Sequence, residues 1–345
     1  MDKELDIDFY FGDHYLNVKK MDYTLLHHKV VEVKNVNWGS LVWQINTIKL
    51  AWAKYDVIIM LGEPKCISSW FIMILSRIFG KRFYFWTHGW YGHEGWIKSF
   101  TKRIYFGLAN GSMLYGEYAR QLMIKQGLCA KKLTVIHNSL AYDTHTILRK
   151  ELIDNSTFYN HFGNEKPTVV FIGRLTKVKK LDQILIAQSI CQKKGCLFNV
   201  TFIGDGTEEI ILKELTMTLN LQEHVWFYGP SYDEKELSQL LYDANLCVAP
   251  GNIGLTAIHA MTFGCPCISH NDFKWQMPEF EAIKEGITGA FFERDNVEDL
   301  ARTIMQWFEK HKNDREQVRM ACFREIDENW NPHRQLDIIK KAIGA

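Results

Sequence analysis

The chain alternates short apolar runs with longer segments whose apolar residues recur every three or four positions. IDFYFG at 7–12 is an apolar run of strand length, and Lys29–Lys34 alternates weakly. Asp56–Leu61, Arg82–Trp86, 112–115 and Leu133–Ile136 are further strand-length runs. Between them, Trp38–Ala53 carries apolar residues at 41, 42, 45, 48 and 52, which predicts an amphipathic helix. Cys66–Phe79 is apolar through nearly its whole body and predicts a well-buried helix. Helices are also predicted at about 96–108 and 116–126. From 140 to 167 the periodicity fades and the stretch turns polar, with Asn155, Ser156, Asn160 and Asn164, which predicts a linker. The alternation then resumes. Strands are predicted at Thr168–Ile172, Asn199–Ile203, Val225–Tyr228 and Leu246–Ala249, and helices at 181–194, 207–219, 237–243, 297–310 and about 333–343. Strands alternating with helices predict parallel sheets, and such sheets bind ligands beyond the carboxyl ends of their strands.

One stretch stands out, APGNIGLTAIHAMTFGCPC at 249–267. It reads as a strand end, a turn bearing Gly251 and Gly254, a short helix from Leu255, and a stop at Gly264 and Pro266. Free N–H groups at such a helix start, with the positive end of its dipole, make an anion site. An ordinary ligand-free strand–turn–helix has the same pattern.

Composition narrows the class. At 345 residues the chain suits two domains. A net charge of +1 argues against nucleic acid as a partner. No apolar run is long enough to predict a transmembrane helix, and MDKELDIDFY lacks the shape of a signal peptide. The eight cysteines contain no CxxC pair, so they read as reduced thiols of a cytoplasmic protein. Two clusters invite a metal reading and are discounted. His88 with His93-Glu94 fits no standard ligand spacing, and Asp6-Ile7-Asp8 sits at a strand start. The basic and aromatic run from Trp96 to Tyr105 suits a membrane surface, whereas the ordinary expectation is that such a helix packs its aromatics inward and solvates its lysines.

The stretch 249–267 resembles the C-terminal signature of family 4 glycosyltransferases, retaining enzymes of the GT-B fold. Its Asn252-Ile253-Gly254-Leu255 matches the family's Gly-Phe-Gly-Leu-like turn, His259-Ala260-Met261 its Glu-Ala-Met, and Gly264-Cys265-Pro266 its Gly-x-Pro. Gly173-Arg174-Leu175 followed by Lys179 resembles the family's Gly-Arg-Leu and lysine, Gly204-Asp205-Gly206 its Gly-x-Gly turn, and His137-Asn138-Ser139 its Pro-Asn-Gly stretch. Two glutamates usual in the family are replaced by Gly251 and His259, and Glu279 and Glu281 downstream are acidic residues that would stand in for them.

The resemblance implies an α/β chain of GT-B architecture, two Rossmann-like domains facing across a cleft. An acceptor-side domain would span 1–150, beginning one βα unit late. A linker at 151–166, a nucleotide-sugar-binding domain at 167–328 and a C-terminal helix at 329–345 returning to the first domain would follow. The implied reaction moves a sugar from a nucleotide-sugar donor to an acceptor hydroxyl with retention, in surface polysaccharide or lipid-linked oligosaccharide synthesis at the cytoplasmic face of a membrane. It needs no cofactor and no metal. Arg174 and Lys179 would hold the donor diphosphate together with the amides of Asn252, Ile253, Gly254, Leu255 and Thr256. Gly173 and Gly204 would line the phosphate turns, Gly229 would face the base, Gly251 would border the sugar pocket, and His259 would read the ribose. His88 would face the reacting centre. Fixed cations suit this leaving group because the diphosphate gains charge as the glycosidic bond breaks. A sugar-nucleotide epimerase-like enzyme and a non-catalytic partner protein of the same fold remain alternatives.

Overall fold

The computed structural model describes residues 1–13 and 21–344 and divides the chain into two units, Met1–Ile136 with Leu336–Ala345, and His137–Gln335. In the first unit, β1 (Phe9–Gly12) and β2 (Val30–Val33) form a parallel pair, and β3 (Asn35–Trp38) and β4 (Leu41–Gln44) form an antiparallel hairpin. Then come β5 (Val57–Leu61), α1 (Ile67–Ile78), β6 (Arg82–Thr87), α2 (Trp96–Leu108), β7 (Gly111–Leu114), α3 (Glu117–Lys125) and β8 (Leu133–Val135). The strands β5-β6-β7-β8 make a parallel sheet in chain order.

Three expectations change in this unit. The helix expected over Trp38–Ala53 is the second half of the β3–β4 hairpin plus a 3-10 turn at Ile48–Trp52. Gly39 at φ +60 turns Trp38 back against Leu41, so the alternation around a Gly-Ser turn prevails over a coincidental helical spacing. Helix α1 does not bury its apolar body. It turns Ser68, Ser69, Ile72, Met73 and Ser76 inward and leaves Phe71, Ile74 and Ile78 outside, the last 71% exposed. Helix α2 follows the ordinary pattern only in part: Tyr105 is buried and Lys98 and Arg103 are exposed, but Lys102 is buried too, while Trp96 is 80% and Phe100 61% exposed.

In the second unit, α4 (Tyr142–Arg149) and α5 (Thr157–Phe162) precede β9 (Thr168–Ile172), α6 (Asp182–Lys193), β10 (Asn199–Ile203), α7 (Glu209–Thr218), β11 (Val225–Gly229) and α8 (Glu234–Asp243). They are followed by β12 (Leu246–Ala249), α9 (Leu255–Thr262), β13 (Cys267–His270), β14 (Gly289–Phe292), α10 (Val297–Lys310), α11 (Arg315–Asn329) and α12 (Pro332–Ile343). The six strands are all parallel, in the order β11-β10-β9-β12-β13-β14. The order runs outward in both directions from the adjacent pair β9 and β12, which makes the gap beyond their carboxyl ends the topological switch point.

The boundary differs from the expected one. The units divide between Ile136 and His137, and the stretch expected as linker includes α5, whose Phe158 is buried. Phe158 and Phe162 pack edge-on against Trp226, a contact across sixty-odd residues that local periodicity does not register.

Candidate functional site

The carboxyl ends of β9 and β12 bring the predicted cations and the predicted turn together. Chain leaving β9 passes Gly173, Arg174 and Leu175 to a 3-10 turn at Lys177–Lys179. Chain leaving β12 passes Pro250 and Gly251 to Gly254, which at φ +52 starts α9. The two loops are bound together. Gly251 N–H donates to the Lys179 carbonyl at 3.0 Å. The Lys179 ammonium donates to Asn252 O and Asn252 Oδ1, both at 2.7 Å. Thr256 Oγ1, in the first turn of α9, donates to the Ile172 carbonyl at 3.0 Å, which seats the helix start against the end of β9.

Electrostatics here favour an anion. Burial pushes the Lys179 ammonium below its usual pKa, the nearby Arg174 pushes the same way, and Glu279 opposes them. Two of the three Lys179 protons are used by Asn252, leaving one for a ligand. Arg174 is exposed, and its guanidinium makes no hydrogen bond or ion pair among the described residues. Glu279, 2% exposed, accepts from Asn138 Nδ2 at 2.8 Å while its Oε2 is buried without a partner. Burial raises its pKa against the lowering effect of Asn138 and Lys179.

Several sequence expectations change. Ile253 N–H donates to Gln276 Oε1 at 3.0 Å and is therefore not available to a phosphate; Gln276, buried and bonded to Ser269 Oγ and the His270 carbonyl, fixes the turn from behind. Gly251 leaves no room for a carboxylate. An ideal Cβ there would fall inside the van der Waals contact of the Val178 carbonyl and the Lys179 backbone. Gly204 serves packing in the same way, since its Cβ would strike the Gly173 carbonyl. Gly229 has φ +88 and open space around it. Leu255 is exposed at the first position of α9.

His259 meets a carboxylate that sequence reasoning missed. Its Nε2 lies 3.2 Å from Glu234 Oε2, and His145 Nε2 lies 3.2 Å from the same oxygen. His145, Glu234 and His259 come from α4, α8 and α9, and their ligand atoms all fall within 4.8 Å of one another. Hydrogen bonding to His259, working against desolvation, lowers the Glu234 pKa. No local spacing joins residues from three separate helices. The discounted His88–His93–Glu94 set forms no such group among the described residues.

His88, in the first unit, follows β6. Its ring centroid lies 4.7 Å from that of Tyr115 and 6.1 Å from that of Tyr91, and its Nδ1 is buried without a hydrogen-bond partner. Burial, then the Lys102 charge, lowers its pKa, so the imidazole is neutral at pH 7. Lys102 braces the loop, donating to the Gly89 carbonyl at 2.6 Å and to Glu94 at 2.8 Å.

Comparison with known proteins agrees with the geometry. Residues 153–321 match the family described as "Glycosyl transferases group 1", so the second unit carries a glycosyltransferase group 1 domain. An uncharacterized 41.2 kDa protein in the cps region of Klebsiella pneumoniae is 27% identical over 58% of this chain and 53% of its own length. The aligned stretch is thus about half of that curated relative. Among solved structures, Anabaena HepE in complex with UDP aligns with a TM-score of 0.71 at 17% identity, covering 94% of this chain and 88% of its own. The apo form of the lipopolysaccharide outer core galactosyltransferase WaaB aligns at 0.69 and 15% identity, covering 95% and 87%. The fold is α/β with parallel sheets, of the GT-B glycosyltransferase type over nearly the whole chain. Among the described residues no helix is long and apolar enough to cross a membrane.

Proposed function

We propose that the chain is a retaining family 4-type hexosyltransferase that takes its sugar from a nucleoside-diphosphate donor. A UDP-sugar is the first candidate, because Anabaena HepE has been crystallised with UDP-glucose. The observation that carries the reading is the meeting of Arg174, Lys179 and the start of α9 at the β9/β12 switch point. In the transfer the bond between the anomeric carbon and the diphosphate oxygen breaks, and a bond from that carbon to the acceptor oxygen forms. The proton of the acceptor hydroxyl leaves with the diphosphate. Charge developing on the diphosphate is met by the Arg174 fork, the remaining Lys179 proton and the amides of Leu255 and Thr256. No metal is needed for that step. Asn252 orients Lys179, while Gly173 and Gly204 let the two backbones close. Gly229 borders the base, and His259 with Glu234 reads the ribose. Neutral His88 is assigned the role of a hydrogen-bonding group toward the reacting sugar. Gly251 holds no carboxylate, so the donor sugar is read by fewer charged groups than is usual for the family.

The acceptor is a glycan or lipid-linked saccharide of a surface polysaccharide pathway, met at the cytoplasmic face of a membrane. Support comes from the first unit. Trp96, Ile97, Phe100 and Ile104 on α2 and Phe71, Ile74 and Ile78 on α1 are exposed, as are Arg77, Lys98 and Arg103 of the same two helices, which pack on one another. Large apolar side chains with a basic rim are the composition of a surface that lies in an anionic lipid interface.

The deciding experiment is a panel of nucleotide sugars assayed by thermal shift and by turnover, on the intact chain and on Arg174→Ala. Binding to the folded state raises the melting temperature. Loss of a charged hydrogen bond, about 1.5–3 kcal/mol, should weaken donor binding roughly tenfold to a hundredfold. Failure of every nucleotide sugar to bind or turn over rejects the reading. Release of free nucleotide with no acceptor product favours the epimerase-like alternative.

A further inference from the structure

We propose that His145, Glu234 and His259 form a binding site for one first-row divalent cation, with zinc the best fit. Around a tetrahedral zinc ion, with metal–ligand distances of about 2.0–2.2 Å, neighbouring ligand atoms lie roughly 3.4 Å apart. Here both imidazole Nε2 atoms already stand 3.2 Å from Glu234 Oε2, and all three ligand atoms lie within 4.8 Å of one another. An ion therefore needs only a small adjustment of side chains that are already converged.

The scaffold holds that convergence. Helix α4 packs against both α8 and α9. The His145 side chain is buried, with its ring stacked on that of His259 at 5.5 Å and 19° and tilted against Phe263 at 5.2 Å. Glu234 sits in the first turn of α8 with its side chain 44% exposed, giving the ion an entry path and an open coordination position.

Two imidazoles and one carboxylate suit zinc. Magnesium and calcium call for oxygen-rich sets, and thiolate-seeking ions would require cysteines that this cluster lacks. His145 Nδ1 is buried with no protein partner. A bound ion would thus lack one outer-shell hydrogen bond, which lowers affinity by about 10–100-fold relative to a fully braced site. The site requires no assumption about the sugar donor. Where both readings hold, an ion and a ribose hydroxyl compete for His259 Nε2.

The test uses the full chain, stripped of metal and titrated with zinc by calorimetry and with cobalt(II) by absorption. We expect one saturable equivalent, and cobalt bands of nitrogen and oxygen coordination without a thiolate charge-transfer band. Glu234→Ala, at a half-exposed position that the fold tolerates, and His259→Ala should each weaken binding at least about tenfold. Cys129→Ser, which removes an exposed thiol, should leave binding unchanged. Absence of a saturable equivalent, a thiolate band, or unaltered binding in both ligand variants would overturn the assignment.

Discussion

The backbone at Gly251 leaves no space for a side chain, and this one steric fact governs how the donor site is read. A methyl group there would press on the Val178 carbonyl and the Lys179 backbone, parting the two loops that the Gly251–Lys179 hydrogen bond joins. Gly251→Ala should therefore cost about 1–3 kcal/mol, the usual penalty of overpacking, visible as a lower melting temperature. Gly251→Glu should cost more and should not raise turnover; a gain of activity would contradict the packing described here. A second residue sets a pH dependence. His270, buried at the end of β13, has its pKa pushed down to about 4, first by burial and then by Arg294. The unfolded imidazole takes a proton below pH 6.5 and the folded one does not until about 4. The stability present above pH 6.5 is thus lost progressively as pH falls toward 4, up to roughly 3 kcal/mol. His270→Asn retains an acceptor for Asp272 N–H and removes the titration, so its melting temperature should fall less steeply between pH 6.5 and 4.5. At this scale the sequence was partly legible. Arg174 and Lys179 announce themselves because one loop carries both. The Glu234 carboxylate beside His259 does not, because it reaches that ring from another helix. Ile253 reads locally as an available amide, since nothing nearby in sequence reveals that Gln276 Oε1 turns back to accept its hydrogen bond.

Helices α1 and α2 show what periodicity can and cannot tell. Their spacing locates both helices within a residue or two, but it does not say which stripe faces the sheet. Small serines let α1 approach closely at 68, 69 and 76, and that approach leaves the large residues outside. On α2 the buried cation Lys102 is held by Glu94, the Gly89 carbonyl and the Trp90 ring, so a polar position goes inward beside Tyr105 and Phe106 while Trp96 and Phe100 stay outside. The outward stripe yields a prediction. Replacing Trp96, Ile97 and Phe100 together by serine removes only exposed apolar area, so the melting temperature should hold, as surface changes are usually within about 0.5 kcal/mol. Each side chain lost from an interface would forfeit about 1.5–3 kcal/mol if fully buried there. Cosedimentation with anionic vesicles should therefore drop by well over tenfold. Equal sedimentation of the variant and the parent would remove the membrane assignment.

At the scale of the whole molecule the chain doubles back, so its last residues belong with its first. The parallel sheets are legible in the alternation of runs, but the order around β9 and β12 is not, because alternation does not say which strands pair. The unit boundary was less legible, because α5 lacks length and owes its burial to Trp226. The C-terminal segment offers the sharpest test of the division. Ile339 and Ile343 are buried with Met113 and Ile136, Tyr84 Oη donates to the Ala342 carbonyl at 3.1 Å, and Lys340 pairs with Glu4 at 2.7 Å. A chain ending at Gln335 loses the burial of Leu336, Ile339 and Ile343, about 4.5–9 kcal/mol, from the first unit alone. Hydrogen exchange should then quicken throughout β5–β8 while β9, β10 and β12 keep their protection, because no residue of the second unit is removed. Uniform loss of protection in both sheets would mean that the two units fold as one cooperative body, and uniform retention would mean that α12 contributes nothing to the core it covers.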